Sequence, residues 1–158
     1  AILAVVLDEF GAAAFQVSAR VLLEQAVYES IKRGQFLDGE TVAKMWVDAR
    51  SRIHGDAVDW LDVMKWGWTK TPHYFLANYR FYNYPYVFAQ LFVYALYRFY
   101  KEEGKGFVPK LKALLAAGSS KSPRELAAQF GYDFTKEEFW QKGMKQAEEF
   151  INMLEETL

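Results

Sequence analysis

The feature that most constrains this chain is the spacing of apolar residues over its first thirty positions, which alternates between steps of three and four. Residues with this spacing lie on one face of an α-helix. We therefore predict a long helix over residues 1–34, weakened at Gly11 and ended by Gly34. Glu24 falls on the same face, where we expect its carboxylate to reach solvent or to pair with a basic side chain. The predicted apolar face comprises Leu3, Leu7, Phe10, Ala14, Val17, Val21, Tyr28 and Ile31.

Capping signals predict further helices along the rest of the chain. Asp38 can cap a helix from Gly39 to about Ile53, and both the Ser122 segment and the Thr135 segment have the sequence of a capping box. We expect helices over 39–66, an irregular tyrosine-rich segment over 67–84, and helices again over 85–158. The last helix is expected to bury Trp140, Met144, Ala147, Ile151 and Leu154. No β-alternation occurs, so the sequence predicts an all-α, irregular multi-helix fold in a single domain.

Composition limits the classes of function. The 158 residues are 52% hydrophobic and 25% charged, which is typical of a globular protein. A net charge of −1 gives no electrostatic basis for binding nucleic acid. The chain has no Cys, which excludes disulfides, thiol nucleophiles and thiolate metal sites. We expect a cytoplasmic protein without membrane or nucleic-acid partners.

Eight of the ten Tyr residues lie between Tyr74 and Tyr100. A buried phenol needs a hydrogen-bond partner, so a helix that only packs would normally use Phe or Leu. Hydroxyls concentrated beside His73, on a chain interrupted by Pro and Asn, indicate a cleft wall. The alternative is a tyrosine-rich core whose hydroxyls reach the surface, and periodicity alone somewhat favours that alternative.

The motifs of this region resemble those of the oligoendopeptidase F group of zinc peptidases, which is related to thimet oligopeptidase. The resemblance extends from about Phe15 to the end of the chain, and it rests on the order and spacing of several motifs together. These are Trp66-Gly67-Trp68, Pro72-His73-Tyr74-Phe75, Asn78-Tyr79-Arg80-Phe81-Tyr82-Asn83-Tyr84-Pro85-Tyr86, Gly118-Ser119-Ser120-Lys121-Ser122-Pro123 and Gly131-Tyr132-Asp133.

The resemblance implies that the chain is the carboxy-terminal helical part of a larger zinc endopeptidase that cleaves short peptides. In that family a His-Glu-x-x-His helix and a later Glu bind zinc, and the carboxy-terminal part supplies His and Tyr donors across the cleft. By this likeness His73 and Tyr86 are catalytic, and Tyr79 contacts the substrate backbone. Tyr82 and Tyr84 line the cleft, and Tyr84 could take the role given to Tyr86. Asn83 stands where the thimet branch has another Tyr.

The sequence departs from the family pattern because it contains no His-Glu-x-x-His, and its only His residues are His54 and His73. We expect no metal ligands in this chain, zinc only in the intact enzyme, and an inactive isolated chain. A missing amino-terminal part of the parent protein would then be a partner, and apolar surface should be exposed over 2–21 and 79–86. The other hypothesis is a non-catalytic helical module with a tyrosine-rich interaction face.

Overall fold

The computed structural model describes residues 1–157, and within that range every regular element is helical. The all-α prediction is confirmed. Short 3₁₀ helices lie at Asp62–Lys70, Pro72–Tyr74, Ala77–Tyr79 and Gly104–Gly106. The α-helices are α1 (Ile2–Gly11), α2 (Ser18–Lys32), α3 (Gly39–His54), α4 (Tyr84–Glu103), α5 (Phe107–Ala117), α6 (Pro123–Gln129) and α7 (Glu137–Glu155).

The chain forms two compact units. The first comprises residues 8–88, and the second comprises residues 1–7 together with 89–158. The candidate site residues all belong to the 8–88 unit.

The junction between α1 and α2 is a π-helical turn, Ala12–Val17. A π turn holds more residues than an α turn, so it rotates the face that the following helix presents. Phe10 is buried as predicted, but beyond the turn the buried apolar residues are Ala19 and Leu23, not Val17 and Val21. The predicted apolar face was therefore wrong after the π turn.

The core of the 8–88 unit forms where α2 meets α3. Asp38 caps α3 as predicted, since its carboxylate accepts a hydrogen bond of 2.8 Å from the Thr41 N–H. Within α3, Trp46 and Ala49 lie on the face that meets α2. The buried cluster consists of Ala19, Leu23, Trp46 and Ala49.

In the other unit, the predicted face of α7 was right only in part. Ala147 is buried as predicted, but Met144 is 50% exposed and Ile151 is 44% exposed, and the other buried residues are Phe139, Gly143 and Gln146. Gly143 sets this register because α7 approaches the backbone of α4 there. A Cβ at Gly143 would lie 2.6 Å from the Leu91 carbonyl oxygen.

Of the two predicted capping boxes, the one at Ser122 is confirmed. The Ser122 hydroxyl accepts from the Glu125 N–H, and the Glu125 carboxylate accepts from the Ser122 N–H. The box at Thr135 was wrong, because Lys136 and not Thr135 is the N-cap residue, and the Thr135 hydroxyl donates to Asp133 at 2.6 Å. Helix α7 begins at Glu137 without a side-chain cap.

Apolar side chains are exposed in both predicted regions, which confirms that expectation. In residues 2–21, Ile2 is 83% exposed and Val5 is 60% exposed; in residues 79–86, Tyr84 is 57% exposed. Among the described residues one helix, Ile2–Lys32, is long and apolar enough to cross a membrane. Core helices of soluble proteins and amino-terminal signal sequences pass the same test, so this observation is weak evidence of a membrane span.

Candidate functional site

The site lies on the segment between Thr71 and α4, where the backbone is held in short 3₁₀ turns. Phe81 has a φ of 56°, a left-handed conformation that is strained for a bulky residue. Two contacts stabilise it: the Phe81 N–H donates to Glu24 Oε1 at 2.6 Å, and the Phe81 ring lies 4.6 Å from the Tyr28 ring. Phe81 lies between His73 and the start of α4.

Three tyrosines surround the His73 ring. The ring centroid lies 5.6 Å from that of Tyr79 in a stacked pair, 5.5 Å from Tyr82 and 6.4 Å from Tyr86. Tyr82 makes edge contacts with both of the other phenols. The structure therefore brings four of the five predicted site residues together. Tyr84 makes no ring contact with His73 in the described residues and is 57% exposed.

A buried hydrogen-bond chain holds His73 from the other side. Asn83, which is fully buried, faces His73 Nδ1 through its Oδ1 at 3.3 Å and donates from Nδ2 to Glu24 Oε2 at 3.2 Å. Glu24 is only 3% exposed and also accepts the Phe81 N–H. One carboxylate thus fixes both the strained backbone at Phe81 and the amide that contacts the His73 ring.

This chain of hydrogen bonds sets the chemistry of His73. A carboxylate only accepts hydrogen bonds, so the Asn83 amide nitrogen must face Glu24 and its oxygen must face His73. His73 Nδ1 is therefore the protonated, donating nitrogen. The remaining nitrogen, Nε2, accepts a hydrogen bond when the ring is neutral and donates one when the ring is an imidazolium.

The hydroxyls of Tyr79, Tyr82 and Tyr86 make no hydrogen bonds within the described part of the chain, although each ring is held by its neighbours. They are therefore available to a ligand. Tyr74 differs, because its hydroxyl donates to the Arg20 carbonyl at 3.1 Å. Burial raises the pKa of Tyr74 well above its usual range, which marks it as a structural phenol.

Most of the sequence matches the model of a protein family. The match is to peptidase family M3, and it covers residues 4–146. The chain belongs to peptidase family M3. Members of this family are zinc metallopeptidases, so the chain is related to metal-dependent proteases. Comparison with curated proteins and with solved structures gave no match.

The described residues of this M3 chain do not fit a zinc ion. Residues 1–157 contain no group of three or more His, Cys, Asp or Glu side chains placed to hold a metal. His54 ends α3, and its ring packs against Phe15 at 5.7 Å and Trp60 at 5.0 Å. Neither His in this chain is therefore accompanied by the further ligands that a zinc site requires.

Sequence reasoning missed the role of Glu24. We expected its carboxylate to reach solvent or to pair with a base, and that was wrong, because it is buried and accepts from two N–H donors. The available signal was a carboxylate on an apolar helix face. Its partners, Phe81 and Asn83, follow 57 and 59 residues later, so no local pattern could identify them.

Proposed function

We propose that this chain is the substrate-facing part of a zinc endopeptidase of the oligoendopeptidase F type, acting on short peptides. The observation that carries the proposal is the His73 ring surrounded by three phenols with available hydroxyls. Membership of family M3 supports the reaction class. The zinc ligands would come from residues that this sequence does not contain, and bound zinc would polarise the scissile carbonyl and activate water.

The chain's own residues would stabilise charge on the peptide. Cleavage places negative charge on the scissile carbonyl oxygen, and a preorganised donor there is typically worth about 10²–10³ in rate. Tyr86 can donate its hydroxyl hydrogen whenever the phenol is neutral. His73 can donate from Nε2 only as the imidazolium, since Nδ1 is engaged by Asn83.

The neighbouring tyrosines would position the peptide. Tyr79 stacks on His73 and is half-buried, so its hydroxyl is held in a fixed place for a backbone group of the substrate. Tyr82 lies between Tyr79 and Tyr86 and would line the same wall. Tyr84 lies outside this cluster, which favours Tyr86 over Tyr84 as the oxyanion donor.

The test is steady-state kinetics on the zinc-bearing enzyme that contains this chain. His73→Phe and Tyr86→Phe should each lower kcat and kcat/KM together by about 10²-fold with little change in KM, because the lost contact strengthens only in the transition state. Tyr79→Phe should mainly raise KM. Tyr100→Phe, in the other unit and 41% exposed, is the matched control and should leave both constants unchanged. An unaltered kcat in both the His73 and Tyr86 variants would remove the assignment.

A second candidate function is a helical module that binds a peptide or protein through its tyrosine face without catalysis. The exposure of Tyr82 (47%), Tyr84 (57%) and Tyr86 (44%) favours it. The two functions differ in what the phenol hydroxyls do. In a binding module, Tyr86→Phe should weaken affinity for the partner, and no form of the protein should hydrolyse peptides.

A further inference from the structure

An open cavity of about 630 Å³ lies in the 8–88 unit. It shares no lining residue with the tyrosine cluster. Its walls are mainly aromatic and aliphatic, and they come from the π turn, α2, α3, the 3₁₀ helix Asp62–Lys70 and the two residues before that helix. The apolar part of the wall includes Trp46, Trp60, Leu61, Val63, Met64 and Trp66.

The unusual group in this cavity is Arg50. Arg50 is only 4% exposed. Its guanidinium lies over two indoles, 4.1 Å from the Trp60 ring centroid and 5.3 Å from that of Trp46. Its Nε is fully buried without a hydrogen-bond partner, and no carboxylate in the described part of the chain pairs with it. Buried charges are normally paired and hydrogen-bonded, so this cation lacks its usual counterion.

The other charges at the cavity have the same sign. Arg20 and Lys70 also line it, and no Asp or Glu does. The guanidinium of Arg50 makes no hydrogen bond within the described part of the chain. Because the local charge is positive, the missing complement is an anion that accepts hydrogen bonds.

We propose that this cavity binds a carboxylate carried on an apolar or aromatic body. The planar guanidinium of Arg50 matches the two oxygens of one carboxylate. The indole and aliphatic walls complement an uncharged apolar group attached to it. A phosphate or sulfate, which carries more charge and no apolar part, would need further buried cations, and Arg50 is the only buried one among the lining residues.

The probes are two acid and amide pairs: phenylacetate with phenylacetamide, and N-acetyl-Leu-Phe with its C-terminal amide. Calorimetric titration of the full chain should show each acid binding at least about 30-fold more tightly than its amide, the factor expected for a buried charge pair. The two pairs distinguish a small free acid from a peptide carboxylate as the natural source. Inorganic sulfate should bind more weakly than either acid.

Arg50→Met should abolish this preference for the acid, whereas Arg33→Met, at an arginine whose side chain is 70% exposed, should retain it. If Arg50→Met does not fold, the acid and amide comparison on the unaltered chain still decides the question. Equal affinity for acid and amide, tighter binding of sulfate, no binding of any probe, or full acid preference in a folded Arg50→Met variant would each overturn the proposal. None of these outcomes depends on peptidase activity.

Discussion

The change Glu24→Gln tests the buried network with almost no change in side-chain shape. The native carboxylate accepts from two donors at once, the Phe81 N–H and the Asn83 amide. Gln offers one oxygen acceptor and one NH₂ donor. Whichever way it turns, one native donor then faces another donor.

The expected cost follows from those two contacts. A hydrogen bond to a charged group contributes about 1.5–3 kcal/mol, and a buried donor left without an acceptor costs about 1–3 kcal/mol. Glu24→Gln removes one such bond, weakens the other to a neutral bond, and leaves the Phe81 backbone strained. We therefore expect the unit formed by residues 8–88 to lose about 2–4 kcal/mol of unfolding free energy.

Urea unfolding followed by tryptophan fluorescence measures this loss, because four of the five Trp residues lie between Trp46 and Trp68. With a slope of about 2 kcal/mol per molar urea, the midpoint should fall by about 1–2 M. The matched control is Glu29→Gln on the same helix, where the carboxylate is 57% exposed in a 3.9 Å ion pair with Arg33. Its effect should stay within about 0.5 kcal/mol. A midpoint for Glu24→Gln equal to that of Glu29→Gln would refute the reasoning.

Four further outcomes are expected. Gly143→Ala should destabilise the unit that contains α4 and α7 by about 1–3 kcal/mol in urea unfolding, because the new Cβ meets the Leu91 carbonyl oxygen; a gain in stability, as expected from helix propensity alone, would contradict the packing. Ser122→Ala should cost about 0.5–2 kcal/mol through loss of the cap, measured in the same way. Hydrogen bonding and charge from two basic side chains of α4 lower the pKa of Glu149. The stability that the ionised Glu149 gives to the folded unit is therefore present above the ordinary Glu pKa of about 4.3, and it is lost as pH falls through the lower pKa of the folded state. Glu149→Gln should therefore reduce the loss of stability between about pH 7 and pH 3, and an unchanged loss would contradict this. The dialysed chain should retain no stoichiometric zinc in metal analysis and hydrolyse no peptide, and one tightly held zinc per chain would overturn that.

Local sequence signals predicted the elements well where the physics is local. Asp38 and Ser122 act within three residues of themselves, and each starts its helix as expected. The Thr135 box failed because α7 begins one residue later than the box requires: Lys136, not Thr135, occupies the N-cap position, and the Thr135 hydroxyl donates to Asp133. A capping motif therefore predicts that a helix starts nearby, but a shift of one residue is enough to remove the cap.

Helix faces were harder to predict because they depend on contacts that are distant in sequence. The face of α7 is set by a close approach to the Leu91 backbone that only Gly143 permits. The candidate site shows the same limit. Its aromatic members lie within fourteen residues of one another and could be grouped from the sequence, whereas Glu24 reaches them only through the folded chain.

The π turn between α1 and α2 bears on which insertions and deletions the gene can tolerate. A π turn accommodates one residue more than the α-helix that would replace it. Deleting one residue from the run Ala12-Ala13-Ala14 would convert the π turn to ordinary α-helix. Phe10 and Leu23 would both remain on the buried face of the helix. The same deletion at Leu22 would rotate every later side chain of α2 by about 100° and move Glu24 away from Phe81 and Asn83. Length variation in this helix should therefore concentrate at its alanines.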